Sequence, residues 1–197
     1  MNEPLRALVV DDELLARSLL GELLDEIEGV DVVGEAANGF EAVQMIEQLG
    51  PDLVFLDIQM PKLSGFEVLE LLGDAAPEVV FVTAYDEHAL RAFEVHAVDY
   101  LLKPVDPERL RTAIERAGER RGTRTGPRAS ELAAAARPPA QPLDRVLIRE
   151  QGRVHVLPVA RIDYVEAQDD YLVFVVGDHR LRRQQTLAEL EGQLDPA

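Results

Sequence analysis

LRALVVDDE, residues 5–13, is the stretch on which the reading of this chain turns. An apolar run rich in leucine and valine stops at three consecutive acids, Asp11, Asp12 and Glu13, which is how a strand buried on both faces ends. Immediately downstream, Leu15, Leu19, Leu23 and Ile27 recur every fourth residue beside Ala16, Leu20 and Leu24. That spacing predicts a helix with one broad apolar stripe, ended by Gly29. The same strand-then-helix unit continues along the chain: VDVVGEA (30–36), a helix over 39–49, DLVFLDI (52–58), a helix over 64–72, EVVFVTA (78–84), a short helix near 87–94, VDYLLKP (98–104) and a helix over 107–120. Strands alternating with helices in this way imply an α/β fold, with a five-stranded parallel sheet covered by helices on both faces. Such sheets bind ligands at the carboxyl ends of their strands.

From Gly122 to Pro142 the sequence changes character, with prolines at 127, 138, 139 and 142, and reads as a linker with at most one helical turn over 131–137. Past it the apolar residues alternate: RVLIRE (145–150), GRVHVLP (152–158) and the run 161–182, with turn signals at Gly152 and Gly177-Asp178. These are antiparallel strands, followed by a short helix in TLAELEGQL (186–194). The expected organisation is a first domain over 1–121, a linker over 122–142 and a β-rich segment over 143–197.

Composition narrows the function classes. The chain has no cysteine, which removes disulfides, thiolate metal sites and thiol catalysis. No apolar run approaches the roughly 20 residues that span a bilayer, and the start, MNEPLRALVV, lacks a secretory pattern, so a cytoplasmic protein without a membrane partner is expected. Net charge is −17, and residues 1–104 carry that whole imbalance, with 5 Lys and Arg against 22 Asp and Glu. Such a surface repels nucleic-acid phosphates and suits proteins or cations. The four histidines, 88, 96, 155 and 179, are scattered without ligand spacing.

Chemistry-bearing residues fall at strand ends: Asp11 and Asp12 after the first, Asp57 in the third, Thr83 in the fourth, Lys103 in the fifth. Three carboxylates in one crevice repel one another unless a cation shares the site, and an all-oxygen pocket suits magnesium. Carboxylates, one magnesium, one lysine and one hydroxyl are what phosphoryl transfer requires, with Asp57 the best-placed nucleophile. Singly, each residue has an ordinary reading: Asp57 a helix cap, Asp11 and Asp12 N-caps of the first helix, Lys103 a surface lysine, Tyr100 a packed strand tyrosine.

Taken together, Asp11-Asp12, then Asp57-Ile58-Gln59-Met60-Pro61 with Gly65, then Thr83-Ala84, then Lys103-Pro104 resemble the receiver domain of two-component response regulators over about residues 4–121. The resemblance implies a flavodoxin-like sheet of order 2-1-3-4-5, one of the two common strand orders of doubly wound folds. It implies Asp57 as phosphoacceptor, assisted by Thr83 and Lys103. Mg2+ would be held by Asp12, Asp57 and the backbone carbonyl of Gln59, with Asp11 acting through water. The implied donor is a sensor histidine kinase, and Tyr100 matches the family's switch aromatic. Signalling would follow through a homodimer formed by the fourth helix (87–94), fifth strand (98–104) and fifth helix (107–120). The stretch AFEVHAVDYLLKPVDPERL and the segments 162–171 and 186–194 resemble a receiver followed by a LytTR-type DNA-binding domain, which here is expected to be incomplete because the family's later F-x-R-x-H stretch is absent. Arg180, Arg182 and Arg183 make a small basic cluster that reads as a solvated hairpin edge or a DNA contact. Two outputs remain open, transcriptional control through DNA and protein contact alone, with no enzymatic role. A haloacid-dehalogenase-type phosphatase wants a second aspartate where Gln59 stands.

Overall fold

The computed structural model describes residues 3–84, 97–121, 143–150, 153–169, 171–192 and 194. The helix expected near 87–94, the linker 122–142 with its turn at 131–137, Gly152, His88 and His96 lie outside the described residues. The chain divides into two compact units, Met1–Ala136 and Arg137–Ala197.

In the first unit, β1 (Leu5–Val10), β2 (Val30–Ala36), β3 (Leu53–Leu56), β4 (Glu78–Thr83) and β5 (Asp99–Leu102) form one sheet of order β2-β1-β3-β4-β5. Every pairing in it is parallel. The central strands β1, β3 and β4 are buried on both faces, as their unbroken apolar runs require. Helix α1 (Leu14–Asp25) and the Pro107–Arg120 helix pack Leu20, Leu24, Leu110, Ala113 and Ala117 against Val9, Phe55, Val80 and Val82. On the opposite face lie α2 (Gly39–Leu49), which packs against β1 and β2, and α3 (Gly65–Leu72), which packs against α2. Local chemistry starts these helices: Asn38 caps α2, and Ser64 and Glu67 form a reciprocal capping box on α3.

Three expectations for α1 need correction. The stripe is narrower than the leucine spacing suggests, because Leu15 and Leu19 are 77% and 61% exposed while Leu20 and Leu24 are buried. An i, i+4 row drifts about 40° around a helix at each step, so one row cannot stay on the sheet. The N-cap is Glu13, not Asp11 or Asp12, and it makes no side-chain cap bond. Instead the Asp11 carboxylate accepts the Glu13 N–H at 2.9 Å, a turn within the loop. The helix also ends at Asp25, before Gly29, whose φ of +87° serves the turn into β2.

In the second unit β6 (Arg145–Glu150) and β7 (Arg153–Pro158) form a hairpin, while β8 (Tyr164–Gln168), β9 (Tyr171–Val176) and β10 (His179–Gln184) form an antiparallel meander. Val146, Ile148, Leu172, Phe174, Leu181 and Leu190 make its core. Leu190 comes from the short Leu187–Glu191 helix, which Thr186 and Glu189 start with a second capping box. The three arginines do not form one cluster. Arg180 and Arg182 stand opposite Val175 and Val173, whereas Arg183 stands opposite Leu172 on the core side and donates to the Leu147 carbonyl at 3.2 Å. Arg180 is paired with Glu166.

Candidate functional site

Parallel pairing places the ends of β1, β3, β4 and β5 at one edge of the first sheet. The Asp57 N–H donates to the Val10 carbonyl at 2.9 Å, which sets Asp57 beside Asp11 one strand away. Across β4 and β5 the Lys103 N–H donates to the Thr83 carbonyl at 2.8 Å, so these two are neighbours as well. The sheet thus brings together Asp11, Asp57, Thr83 and Lys103, with Asp12 at its rim.

Lys103 Nζ lies 2.6 Å from an Asp11 carboxylate oxygen and 2.7 Å from Asp57 Oδ2. The other Asp57 oxygen, Oδ1, accepts the Gln59 N–H at 3.1 Å. Burial pushes the Asp57 carboxyl above its ordinary 3.8, although Lys103 and the Gln59 N–H pull it down. Burial also works against the Lys103 ammonium, but its hydrogen bonds to Asp11 and Asp57 hold it above 10.5. The partners differ as well as the depth: Lys103 has two carboxylates holding its charge, whereas Asp57 has one ammonium and the like charge of Asp11 beside it.

Asp11, Asp12 and Asp57 each offer a carboxylate oxygen within 4.8 Å of the others. Opposite ligands of an octahedral magnesium ion stand about 4 Å apart, so the three oxygens need little movement to share one ion. The ammonium already lying between two of them shows that this place takes positive charge. The donor set therefore fits a hard divalent cation. Thr83 is fully buried and its hydroxyl has no hydrogen-bond partner among the described residues, leaving a donor free for an incoming oxygen. Gly65 stands where a Cβ would lie 2.5 Å from the Asp57 carbonyl, so only glycine lets α3 start this close to the loop.

Tyr100 is buried in β5, opposite Phe81 in register. Its neighbour Asp99 is buried and held by Arg109 at 3.0 Å and Arg116 at 2.6 Å, both from the Pro107–Arg120 helix. Sequence reasoning missed Arg17, whose guanidinium donates to the Asp11 carbonyl at 2.7 Å. Its one signal was that Arg17, five residues after Asp12, is the single basic residue of the α1 sequence LLARSLLGELLD.

Residues 7–115 match the response regulator receiver domain. The chain belongs to the response regulator family. A response regulatory protein of Vibrio cholerae is 40% identical over 189 residues, covering 95% of this chain and 76% of that protein. The transcriptional regulatory protein BtsR of Salmonella typhi is 47% identical over 113 residues, covering 57% of this chain and 47% of its own length. Several other curated relatives are likewise matched over only about half of their length. Among solved structures, the response regulator domain of Thermotoga maritima CheB is 32% identical with a TM-score of 0.53, covering 59% of this chain and 98% of that domain. This response regulator therefore carries the five-stranded α/β receiver fold and an aspartate cluster at its strand ends. Among the described residues, no helix is long and apolar enough to cross a membrane.

Proposed function

We propose that Asp57 accepts a phosphoryl group from a sensor histidine kinase and that this event switches the output of the chain. The observation that carries the reading is the bridging of Asp11 and Asp57 by Lys103, with three carboxylate oxygens within 4.8 Å, in a receiver fold. An Asp57 oxygen attacks the phosphorus of a phosphohistidine; the new O–P bond forms as the P–N bond breaks, and the imidazole keeps the electron pair. Asp12, Asp57 and the Gln59 carbonyl, with Asp11 through water, would hold magnesium, which when bound would supply positive charge against the transferring oxygens. Lys103 adds a second positive charge, and the Thr83 hydroxyl donates to a third oxygen.

Drawing Thr83 towards the phosphoryl group changes the space beside β5, which is where Tyr100 takes its switch role. Moving a two-state element from 1:99 to 99:1 needs about 5.5 kcal/mol. Charge-assisted hydrogen bonds at about 1.5–3 kcal/mol each supply much of it. The homodimer then forms through residues 87–94, 98–104 and 107–120. For the kinase, the exposed Leu14, Leu15 and Leu19 beside the crevice offer an apolar docking face.

Residues 143–197 serve, in this reading, as a LytTR-type output domain that controls transcription in the cytoplasm, joined to the receiver (1–121) by the 122–142 linker. The name of the BtsR relative supports transcriptional output. Protein contact alone is the second reading, favoured by the excess of acids in residues 1–104. Acetyl phosphate with magnesium is expected to add about 80 Da to the chain, and the adduct should vanish in Asp57→Asn. Persistence of the adduct in that variant sinks the assignment. Sequence-specific retardation of DNA on phosphorylation separates the two outputs.

A further inference from the structure

We propose that Arg17 is a positioning residue of the acidic crevice: it grips the peptide between Asp11 and Asp12, so that both carboxylates are presented together to a divalent cation. The inference rests on the reading of that crevice as a magnesium and phosphoryl site, and it adds a residue outside the set of strand-end groups.

Arg17 lies on the first turns of α1, yet its side chain is only 11% exposed. Nη1 donates to the Asp11 carbonyl at 2.7 Å, and Nε lies 3.5 Å from the Glu35 carboxylate near the end of β2. One guanidinium therefore ties α1, the loop after β1 and the end of β2 to one another. Its planar fork lets different nitrogens serve a carbonyl and a carboxylate at once, which the point charge of a lysine does less well.

The choice of acceptor is what points to function. A cation beside three clustered acids would ordinarily pair with a carboxylate, as Lys103 does twice. Arg17 bonds the backbone instead and leaves the carboxylate oxygens of the cluster to other partners. Asp11 needs little further orientation, because its side chain already accepts the Glu13 N–H at 2.9 Å and the Lys103 ammonium at 2.6 Å. Asp12 is exposed, and among the described residues none bonds its carboxylate. With no side-chain partner to place it, the point from which its carboxylate reaches the crevice is set by its backbone, and the Asp11 carbonyl that Arg17 holds belongs to the peptide plane that begins Asp12. A purely stabilising role fits less well. The Glu35 side chain is 44% exposed, and a pair of that kind contributes little to folding.

Groups that orient metal ligands from behind typically change metal affinity about 10- to 100-fold when removed. Isothermal titration of the full chain with magnesium chloride is the test, alongside the magnesium dependence of phosphorylation by acetyl phosphate. Arg17→Met is expected to raise the magnesium Kd about 10-fold, and to raise the magnesium concentration giving half-maximal phosphorylation by the same factor. The effect should fall on that concentration more than on the rate at saturation. Arg17→Lys, which still reaches the carbonyl, should recover part of the affinity. Glu35→Gln, which loosens the hold on Arg17 without removing it, should shift Kd in the same direction by less, and it serves as the test if Arg17→Met does not fold. An unchanged Kd in the variants of a wild-type chain that does bind magnesium overturns the role of Arg17. If the wild-type chain binds no magnesium, the reading of the crevice fails instead.

Discussion

Replacing Lys103 with methionine removes one ammonium and keeps most of the apolar stem, and the consequences can be worked from two distances. Nζ lies 2.6 Å from Asp11 and 2.7 Å from Asp57, with its side chain 17% exposed. At an effective dielectric of about 20, each contact is worth roughly 6 kcal/mol before the cost of removing the charges from water. After that cost, losing one partner of a buried pair typically destabilises by about 3–5 kcal/mol, because the remaining charge stays buried. We expect a loss of about 3 kcal/mol in metal-free buffer at pH 7. At about 4 °C per kcal/mol for a domain of this size, Tm should fall by about 12 °C. The raised pKa of Lys103 sets the pH window: its contribution is complete below 10.5 and is lost as pH rises through the higher folded value, so wild type and variant converge in strong alkali. Magnesium should act in the opposite sense, since an ion entering the wild-type crevice must displace the ammonium from both carboxylates. The variant should bind magnesium about 10-fold more tightly, equivalent to about 1.4 kcal/mol, by isothermal titration. An unchanged Tm in EDTA, or a magnesium affinity no higher than wild type, would refute the reasoning.

Asp57→Asn should raise Tm at pH 7 in EDTA. Burial lifts the Asp57 pKa, so its contribution to stability is complete below 3.8 and is lost as pH rises through the folded value; the advantage of the variant should therefore shrink towards zero as the pH falls below 3.8. Gly65→Ala forces a methyl to 2.5 Å from the Asp57 carbonyl, and should cost about 1–3 kcal/mol in denaturant unfolding. Acetyl phosphate labelling should fall with it, up to about 100-fold if the loop moves by about 1 Å. In the second unit, Thr186→Ala removes the capping box on the Leu187–Glu191 helix and should destabilise that unit by about 1 kcal/mol, read by hydrogen exchange at Leu190. Hydrogen bonds from the Thr186 backbone and hydroxyl hold Glu189 below its ordinary 4.5, so this cap should weaken as pH falls from 4.5 through the lower folded value.

Much of the receiver was legible in the sequence because its signals are local. Runs such as VFL and VVFV commit to buried strands, and Ser64 with Glu67 marks the start of α3 within four residues. Asp57 and Lys103 were legible through order and position along the strands. Arg17 was not, because its partner is a backbone carbonyl and carries no side-chain signature. The leucines of α1 misled for a related reason: Leu15 and Leu20 are the same residue type, and only the position of the sheet makes one exposed and the other buried. Likewise, three arginines close in sequence read as one patch, but the alternation of β10 sends Arg183 to the opposite face from Arg180 and Arg182.

Element types, their alternation and the class of the first fold follow from the residues alone, because apolar periodicity and capping chemistry act over a few positions. Which charges share a cation does not. Asp11 and Asp57 are 46 positions apart and Lys103 is a further 46 along, and they meet because β1 pairs with β3, β3 with β4 and β4 with β5. Parallel strands in register carry their carboxyl ends to one edge, and that edge turns separate acids into a site with its own lysine.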